Sequence, residues 1–266
     1  MTDAALPQAE RPDPRALLGR NLPWILPLAT AAGVFLVWEA LVGLFAVPPV
    51  ILPPPSAIAL RFVTTLPALL DHARHTGLEA LGAFLLATLV GTSIAALVSS
   101  SRIIREMVQP SLVAFQLIPK VALAPMFVIW LGIDTPSRLA FAVFLSFFPV
   151  VIAATAGFAS TDETALRLCR SLTASPLQTF LRVRLPFALP HLFNGMRIAS
   201  TMAVIGVVVA EFISAKAGLG FYILYASSRM ETTGIFAALL MLCLVGLALF
   251  GGVVLLERLV RTRYLG

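Results

Sequence analysis

The chain has 266 residues, of which 59% are hydrophobic and 12% are charged, and its mean hydropathy is +0.95. Soluble globular domains carry roughly 25% charged residues, so this composition excludes them and predicts a protein that crosses a membrane several times. The net charge of +6 does not indicate nucleic-acid binding, because the arginines lie at the ends of apolar segments. Cys169 and Cys243 lie in different segments without a metal-ligand spacing, which argues against a disulfide or a zinc site.

The apolar runs predict an all-α fold with about six transmembrane helices, since each run approaches or exceeds the roughly 20 residues that cross a hydrocarbon core. The run after residue 22 is too long for a signal-peptide core and lacks a clear cleavage site, so we expect it to be a retained first span. We expect a tail at 1–22, a transmembrane domain at 23–260, a second tail at 261–266, and spans at 24–47, 78–99, 107–130, 137–157, 192–213 and 234–256.

Basic residues at the ends of the spans predict the orientation. The set of flanks that includes both termini holds Arg11, Arg15, Arg20, Arg102, Arg105, Arg167, Arg170, Arg182, Arg184, Arg258, Arg261 and Arg263. The opposite flanks hold only Arg61, Arg74, Arg138, Lys216 and Arg229. Because basic residues concentrate on the cytoplasmic side, we expect both termini in the cytoplasm.

The third span contains residues that are unusual at membrane depth, namely Gln116, Pro119, Lys120 and Pro125. Each proline frees a backbone carbonyl, which then needs protein or water as a partner. A lysine at this depth costs about 3 kcal/mol on insertion scales. Lys120 therefore either reaches the interface or an acid, or faces an aqueous translocation path, with Gln116 one turn away on a similar face.

Other polar residues in apolar surroundings are weaker candidates. Glu211, near the end of the fifth span, is a candidate path residue, although pairing with Lys216 or capping of local backbone is the alternative that we favour. Glu39 is expected to have a buried partner, Arg197 to anchor at the interface, and Gly91 to allow close helix packing. Asp71, His72 and His75 fall in a predicted external loop that we expect to be solvated and free of metal.

A polar segment at 161–186 interrupts the apolar pattern and predicts two short amphipathic helices joined at a bend. Asp162 is placed to cap the first helix, with an apolar stripe of Ala165, Leu168, Cys169 and Leu172. Ser175 and Pro176 begin the second, whose apolar face holds Leu177, Phe180 and Leu181, and Leu185-Pro186 and Leu189-Pro190 are expected to end it. Such a pair either lies on anionic lipid or docks into a groove on a partner.

This segment resembles the cytoplasmic loop of ABC importer permeases, whose pattern is Glu-Ala-Ala, three residues, Gly, about nine residues, a hydrophobic residue, any residue and Leu-Pro. The matching positions are Arg167-Leu168-Cys169, Thr173 and Val183-Arg184-Leu185-Pro186. The usual glutamate and glycine are thus Arg167 and Thr173. Similarity to the nitrate, sulfonate, taurine and pyrimidine-precursor subgroup extends over QLIPKVALAPMFVIWLGI (116–133), FFPVVIAATAGFAS (147–160), LTASPLQTFLRVRLPFALPHLFNGMRIAS (172–200) and IGVVVAEFISAKAGLGFYILYASS (205–228).

The resemblance implies a type I ABC importer permease fold in the bacterial inner membrane. It implies a homodimer that works with two ATPase subunits and an extracytoplasmic binding protein, with ATP and Mg²⁺ bound by the ATPase and no cofactor bound by this chain. The implied coupling residues, among which Leu172 and Phe180 are expected to form the docking face, are Thr164, Ala165, Arg167, Leu168, Leu172, Thr173, Ala174, Ser175, Pro176, Phe180, Leu185 and Pro186.

Two other classes of protein fit the composition. The only lysines, Lys120 and Lys216, lie outside any Walker A pattern, so the chain needs a partner or an ion gradient as its energy source. An ion-coupled secondary transporter would need acids along one path, and Glu39 and Glu211 lie in different spans. A membrane enzyme would need clustered acids or histidines on one face, which the sequence does not show.

Overall fold

The computed structural model describes residues 14–264, and within this part the chain is helical without any strand. The α-helices are α1 Pro14–Leu44, α2 Pro55–Thr64, α3 Leu66–Ser99, α4 Arg102–Gln116, α5 Ala124–Leu131, α6 Thr135–Ala159, α7 Glu163–Ser171, α8 Pro176–Thr179, α9 Leu185–Ser214, α10 Leu219–Ser228 and α11 Thr232–Tyr264. The short π-helical turn Phe180–Arg184 joins α8 to α9, and the 3₁₀ turn Lys120–Leu123 precedes α5.

The centre of the bundle is formed by α3, α6 and α9, which pack through small residues. A Cβ atom added at Gly195 would lie 2.6 Å from the Cβ of Ala153, and one added at Gly206 would lie 2.7 Å from the Cα of Ala142. The predicted role of Gly91 is confirmed, since an added Cβ would lie 3.0 Å from the Cβ of Val150. Close backbone approach through small residues is a common way to pack transmembrane helices, because it maximises van der Waals contact.

Contacts at the two ends show that α3 and α6 run antiparallel to α9. At one end, Nη1 of Arg184 donates to the carbonyl of Ser99 at 3.3 Å. At the other, Nη1 of Arg138 donates to the carbonyl of Ser214 at 3.4 Å. The end of α3 and the start of α6 therefore lie at opposite ends of the bundle, so the segment between them must connect the two ends.

That connecting segment is a broken span. Its two halves, Ile103–Gln116 and Lys120–Leu131, are bent by 84° relative to each other. The predicted interruption is confirmed, because Pro119 precedes the 3₁₀ turn and Pro125 lies in the first turn of α5. Five further helices in the described part are long and apolar enough to cross a membrane, so the broken span is the sixth candidate crossing.

Two predicted boundaries are wrong. The second span is part of the 34-residue helix α3, so Asp71, His72 and His75 lie on a helix and not in a loop. Leu185-Pro186 does not end the helix before the fifth span, because the chain stays helical from Pro176 to Ser214 through the π-helical turn. Pro186 directly follows this π-helical turn, in which the Leu185 N–H donates to the carbonyl of Phe180 five residues earlier, so the regular i→i−4 bonding is already interrupted where proline lacks its N–H.

The first and last helices are attached at the end of the bundle that carries α10. The carboxylate of Glu39 in α1 accepts hydrogen bonds from the Ser56 backbone N–H at 3.0 Å and from its Oγ at 2.7 Å, so it caps α2. This is the partner expected for Glu39, although the carboxylate is only half-buried. Arg61 of α2 pairs with Glu231 at 2.7 Å, just before α11. The start of α1 and the end of α11 thus lie at the end that carries α7.

Candidate functional site

Two capped helices form a hairpin at one end of the bundle, which we call the α7–α8 hairpin (residues 162–184). Oδ1 of Asp162 accepts from the Thr164 N–H at 3.0 Å, which confirms the first predicted cap. Oγ of Ser175 accepts from the Gln178 N–H at 3.2 Å, and Oε1 of Gln178 accepts from the Ser175 N–H at 2.9 Å. This reciprocal capping box confirms the second cap and fixes where α8 begins.

The bend between the two helices depends on Thr173, whose φ is +53°. This is the left-handed region, which glycine adopts freely and which a β-branched side chain enters at a cost of roughly 1–2 kcal/mol. Thr173 stands where the permeases that the segment resembles have glycine. The bend therefore has a left-handed backbone at position 173, although the residue there is threonine and not glycine.

Replacing Thr173 by glycine should stabilise the hairpin. Release of the strain, less the entropy that glycine loses on ordering, predicts a gain of up to about 1 kcal/mol, or about fivefold slower hydrogen exchange of the α7 amides. The matched control is Ser171→Gly, which places glycine within a helix and should speed exchange. Equal acceleration in both variants would show that the bend at Thr173 is not strained.

The hairpin exposes two pairs of leucines one helical turn apart. Leu168 on α7 and Leu172 at its C-terminal cap are 59% and 69% exposed, and Leu177 and Leu181 on the second arm are also exposed. Ala165 and Cys169, which belong to the same predicted stripe, are half-buried. Each arm of the hairpin therefore exposes an apolar pair beside exposed charged residues such as Arg167 and Arg170, which fits contact with a protein partner or a lipid surface.

Arg167 lies beside this apolar surface and pairs with Glu163 one turn earlier, Nη2 to Oε2, at 3.4 Å. Both side chains are largely exposed, so this pair contributes little to stability and leaves both groups available to a partner. Arg167 stands where the family pattern has glutamate. Glu163, four residues earlier, places a carboxylate on the same exposed edge of α7.

Phe180 does not lie on the exposed face with Leu172. Its ring packs against Phe158 of α6, with 5.4 Å between the ring centroids, and it borders the central apolar cluster. Leu185 and Pro186 follow as the partly buried start of α9. Phe180 therefore joins the hairpin to the bundle, and the prediction that it shares an exposed face with Leu172 is wrong.

At the break in the third span, Nζ of Lys120 lies 4.7 Å from the centroid of the Phe148 ring, which is a cation–π geometry. Within the described residues, Lys120 has neither an acid partner nor a hydrogen bond. Gln116 ends α4 and is exposed, so the two residues lie on separate helical pieces on either side of the bend. The prediction that Gln116 and Lys120 share one helical face is therefore wrong: they lie on either side of the break.

Glu211 is buried, with 2% of its surface exposed. Its Oε1 accepts from Oγ1 of Thr76, and its Oε2 accepts from the Gly220 N–H, each at 2.7 Å. No ion pair joins it to Lys216 in the part of the chain that the structure describes. Of the alternatives that the sequence left open, backbone capping is confirmed, and the assignment of Glu211 to the path is corrected because no part of the carboxylate faces an open space.

Two partly buried ion pairs have partners that the sequence analysis does not identify. Arg138 of α6 binds the Glu79 carboxylate through two bonds, Nη2 to Oε1 at 2.6 Å and Nε to Oε2 at 3.0 Å, and both side chains are 13% exposed. Arg197 of α9 pairs with Glu257 of α11, and its expected place at the membrane interface stays a prediction. The sequence does give one signal for such pairs, since isolated charges within apolar helices usually pair with one another. It does not identify the partner, which is distant in the sequence.

These features define a class: a helical membrane protein with a broken span, a packed three-helix centre and an exposed apolar hairpin at one end. Residues 87–262 match the model of the family described as binding-protein-dependent transport system inner membrane component. The chain belongs to this family, the membrane component of ABC transporters, in which ATP hydrolysis lies with a separate ATPase. Membership confirms the type I importer permease fold and the resemblance seen in the sequence.

Relatives with curated names cover most of the chain. A probable ABC transporter permease protein of Haemophilus influenzae is 37% identical over 224 residues, which are 84% of this chain and 91% of the relative. The formylaminopyrimidine transport permease protein ThiX of Halalkalibacterium halodurans is 32% identical, over 85% and 90%. The riboflavin transport system permease protein RibX of Chloroflexus aurantiacus is 34% identical, over 84% of each chain. This chain is therefore a multi-pass permease whose family implies ATPase and binding-protein partners.

Proposed function

We propose that this chain is the permease subunit of an ATP-driven importer that moves a small solute by alternating access. The observation that carries the proposal is the α7–α8 hairpin, which is capped at both helix starts, exposes leucines on both arms and continues without interruption into α9. An exposed apolar surface on a firmly attached element fits a docking site for a second protein.

In this proposal the hairpin and the arginine-rich flanks face the cytoplasm of a bacterial cell. The tails 1–22 and 261–266 then lie on the same side as the hairpin, and residues 23–260 form the permease domain in the inner membrane. The positive-inside rule supports this orientation. The structure is consistent with it, because the start of α1 and the end of α11 lie at the hairpin end of the bundle.

The working unit is a pair of permease chains with two ATPase subunits and one extracytoplasmic binding protein. ATP and Mg²⁺ bind to the ATPase, and closure of the ATPase pair displaces the hairpins. From Pro176 to Ser214 the chain is helical over 39 residues, roughly 58 Å at 1.5 Å per residue. A displacement at the hairpin is thereby carried across the membrane, and the two permease halves alternate between inward-open and outward-open states.

The proposed solute is a small molecule of the sulfonate, taurine, nitrate or pyrimidine-precursor type. The last of these is supported by the name of the relative ThiX. Lys120 and Gln116 are the proposed path residues, because an ammonium group without an acid partner among the described residues needs water or a solute beside it at membrane depth. The binding protein performs most of the selection.

The ion-coupled secondary transporter is less well supported. Such a transporter needs acids that are free to bind and release an ion along one path. Glu39 accepts two hydrogen bonds from Ser56, and Glu211 accepts two from Thr76 and Gly220. Both of the acids available from the sequence analysis are therefore committed to capping helices.

The test is purification of the chain from its native membrane, followed by reconstitution with whatever ATPase accompanies it. We expect an ATPase subunit to copurify, and uptake to stop when its Walker lysine is replaced. Solute accumulation by this chain alone in ATP-free vesicles would contradict the proposal. A thermal-shift panel of taurine, alkanesulfonates, nitrate and hydroxymethylpyrimidine on the cognate binding protein identifies the solute.

A further inference from the structure

The start of α10 is held by three side chains from two other helices. The Gly218 N–H donates to Nδ1 of His72 at 3.1 Å, the Leu219 N–H to Oγ1 of Thr76 at 2.8 Å, and the Gly220 N–H to Oε2 of Glu211 at 2.7 Å. The first N–H groups of a helix have no intrahelical partner, so all three would otherwise be unsatisfied. We call this set of contacts the α10 cap.

Thr76 and Glu211 form the buried part of the α10 cap. Oγ1 of Thr76 donates to Oε1 of Glu211 at 2.7 Å while accepting from Leu219, and the side chains of both Thr76 and Glu211 are buried. Both carboxylate oxygens therefore have donors, which offsets the cost of burying them. The positive end of the α10 dipole lies at the same place and favours a carboxylate.

The backbone is shaped to the carboxylate. Gly218 has φ of +109°, and a Cβ at this position would overlap the Glu211 side chain. A Cβ at Gly220 would lie 2.8 Å from the Cβ of Glu211. Both positions therefore require glycine, and the cap depends on close contact between Glu211 and the backbone of α10.

A second contact holds the end of α9 beside the cap. Arg138 of α6, paired with Glu79 of α3, donates to the carbonyl of Ser214 at the last residue of α9. The first half of α3, the start of α6, the end of α9 and the start of α10 are thus joined by polar contacts at the end of the bundle opposite the α7–α8 hairpin. A short helix held in this way cannot move independently of α9 while the cap is intact.

We infer that Glu211, with Thr76, is a positioning residue of the transport cycle that couples α10 to α9. The displacement of α9 that begins at the hairpin then moves α10 at the far end of the solute path. This inference rests on the proposed alternating access. Thr76 and Glu211 touch neither solute nor ATPase; they act through α10.

The test measures displacement and needs no identified solute. The complex of the permease with its copurified ATPase is prepared with Cys169 and Cys243 replaced by serine. Nitroxide labels are placed at Leu224→Cys on α10 or at Ile213→Cys on α9, positions that are 50% and 45% exposed. Distances between the two copies are measured by electron paramagnetic resonance before and after trapping with MgATP and orthovanadate.

In the otherwise unchanged complex we expect both labels to shift on trapping. Thr76→Val, which keeps the shape of threonine but removes the hydroxyl, should at least halve the shift at Leu224 and leave the shift at Ile213 unchanged. Thr76→Ser should restore the shift at Leu224, and Glu211→Gln provides a second variant if Thr76→Val assembles poorly. A purely structural role would lower the melting temperature without separating the two shifts.

The outcomes distinguish this inference from the proposed function. A full shift at Leu224 in both assembled variants would overturn the coupling of α10 through Glu211 while leaving the importer assignment intact. If no ATPase copurifies, or neither label shifts in the unchanged complex, the proposed alternating access fails and the inference fails with it.

Discussion

Replacing Leu172 by aspartate is expected to detach the ATPase from this permease and to lower ATP-driven uptake at least about tenfold. Leu172 is 69% exposed, so the change removes little packing within the bundle. If the leucine is buried in a partner, an aspartate there loses the apolar contact and leaves a charge without solvent, a loss of about 2 kcal/mol or more for a central interface residue. Copurification of the ATPase and uptake per assembled complex are the measurements.

The matched control for Leu172→Asp is Met230→Asp at the opposite end of the bundle. Met230 is 72% exposed and has φ of +55°, a conformation that aspartate tolerates better than methionine. This variant should retain the ATPase at the unchanged level. Equal retention of the ATPase by both variants would show that Leu172 lies outside the docking surface.

Replacing Gly195 by leucine is expected to prevent the bundle from assembling. The added Cβ would lie 2.6 Å from the Cβ of Ala153 and 2.9 Å from the carbonyl oxygen of Pro149 on α6. The second of these is a backbone atom that cannot rotate away, so α6 and α9 would have to separate. Overpacking of this kind costs about 3 kcal/mol or more, and we expect at least a tenfold fall in monodisperse protein by size-exclusion chromatography.

The control for Gly195→Leu is Gly246→Leu on α11, where an added Cβ meets no atom within 4 Å. The two variants add the same apolar side chain to a transmembrane helix, so they differ only in the space available. We expect Gly246→Leu to give an unchanged yield. Similar losses in both variants would show that the contact of α6 with α9 does not limit assembly.

The hairpin was predictable because its signals are local. Asp162, Ser175 and Pro176 act on backbone groups within three residues of themselves, and the structure places each at the helix start that the sequence indicated. The direction of Phe180 was not predictable. Its place against Phe158 depends on how α9 continues from α8, and the sequence suggested a helix end at Leu185-Pro186 that a π-helical turn avoids.

The buried polar contacts required tertiary information. The sequence shows Glu211 and the glycine-containing turn that follows it, and it allows the prediction that Glu211 caps nearby backbone. Thr76 is 135 residues away from Glu211, and the apolar pattern predicts it at the edge of a loop. Glu79 lies inside the predicted second span, but its partner Arg138 is 59 residues away in the sequence.

In the proposed mechanism the α7–α8 hairpin is bound by an ATPase subunit, and ATP binding and hydrolysis by that subunit displace the hairpin. The most direct test is a photo-reactive benzoylphenylalanine at Leu172, illuminated in native membranes, with the cross-linked species identified by mass spectrometry. We expect a covalent product with the ATPase subunit. Cross-links to lipid alone, with the ATPase present in the same membranes, would contradict the claim.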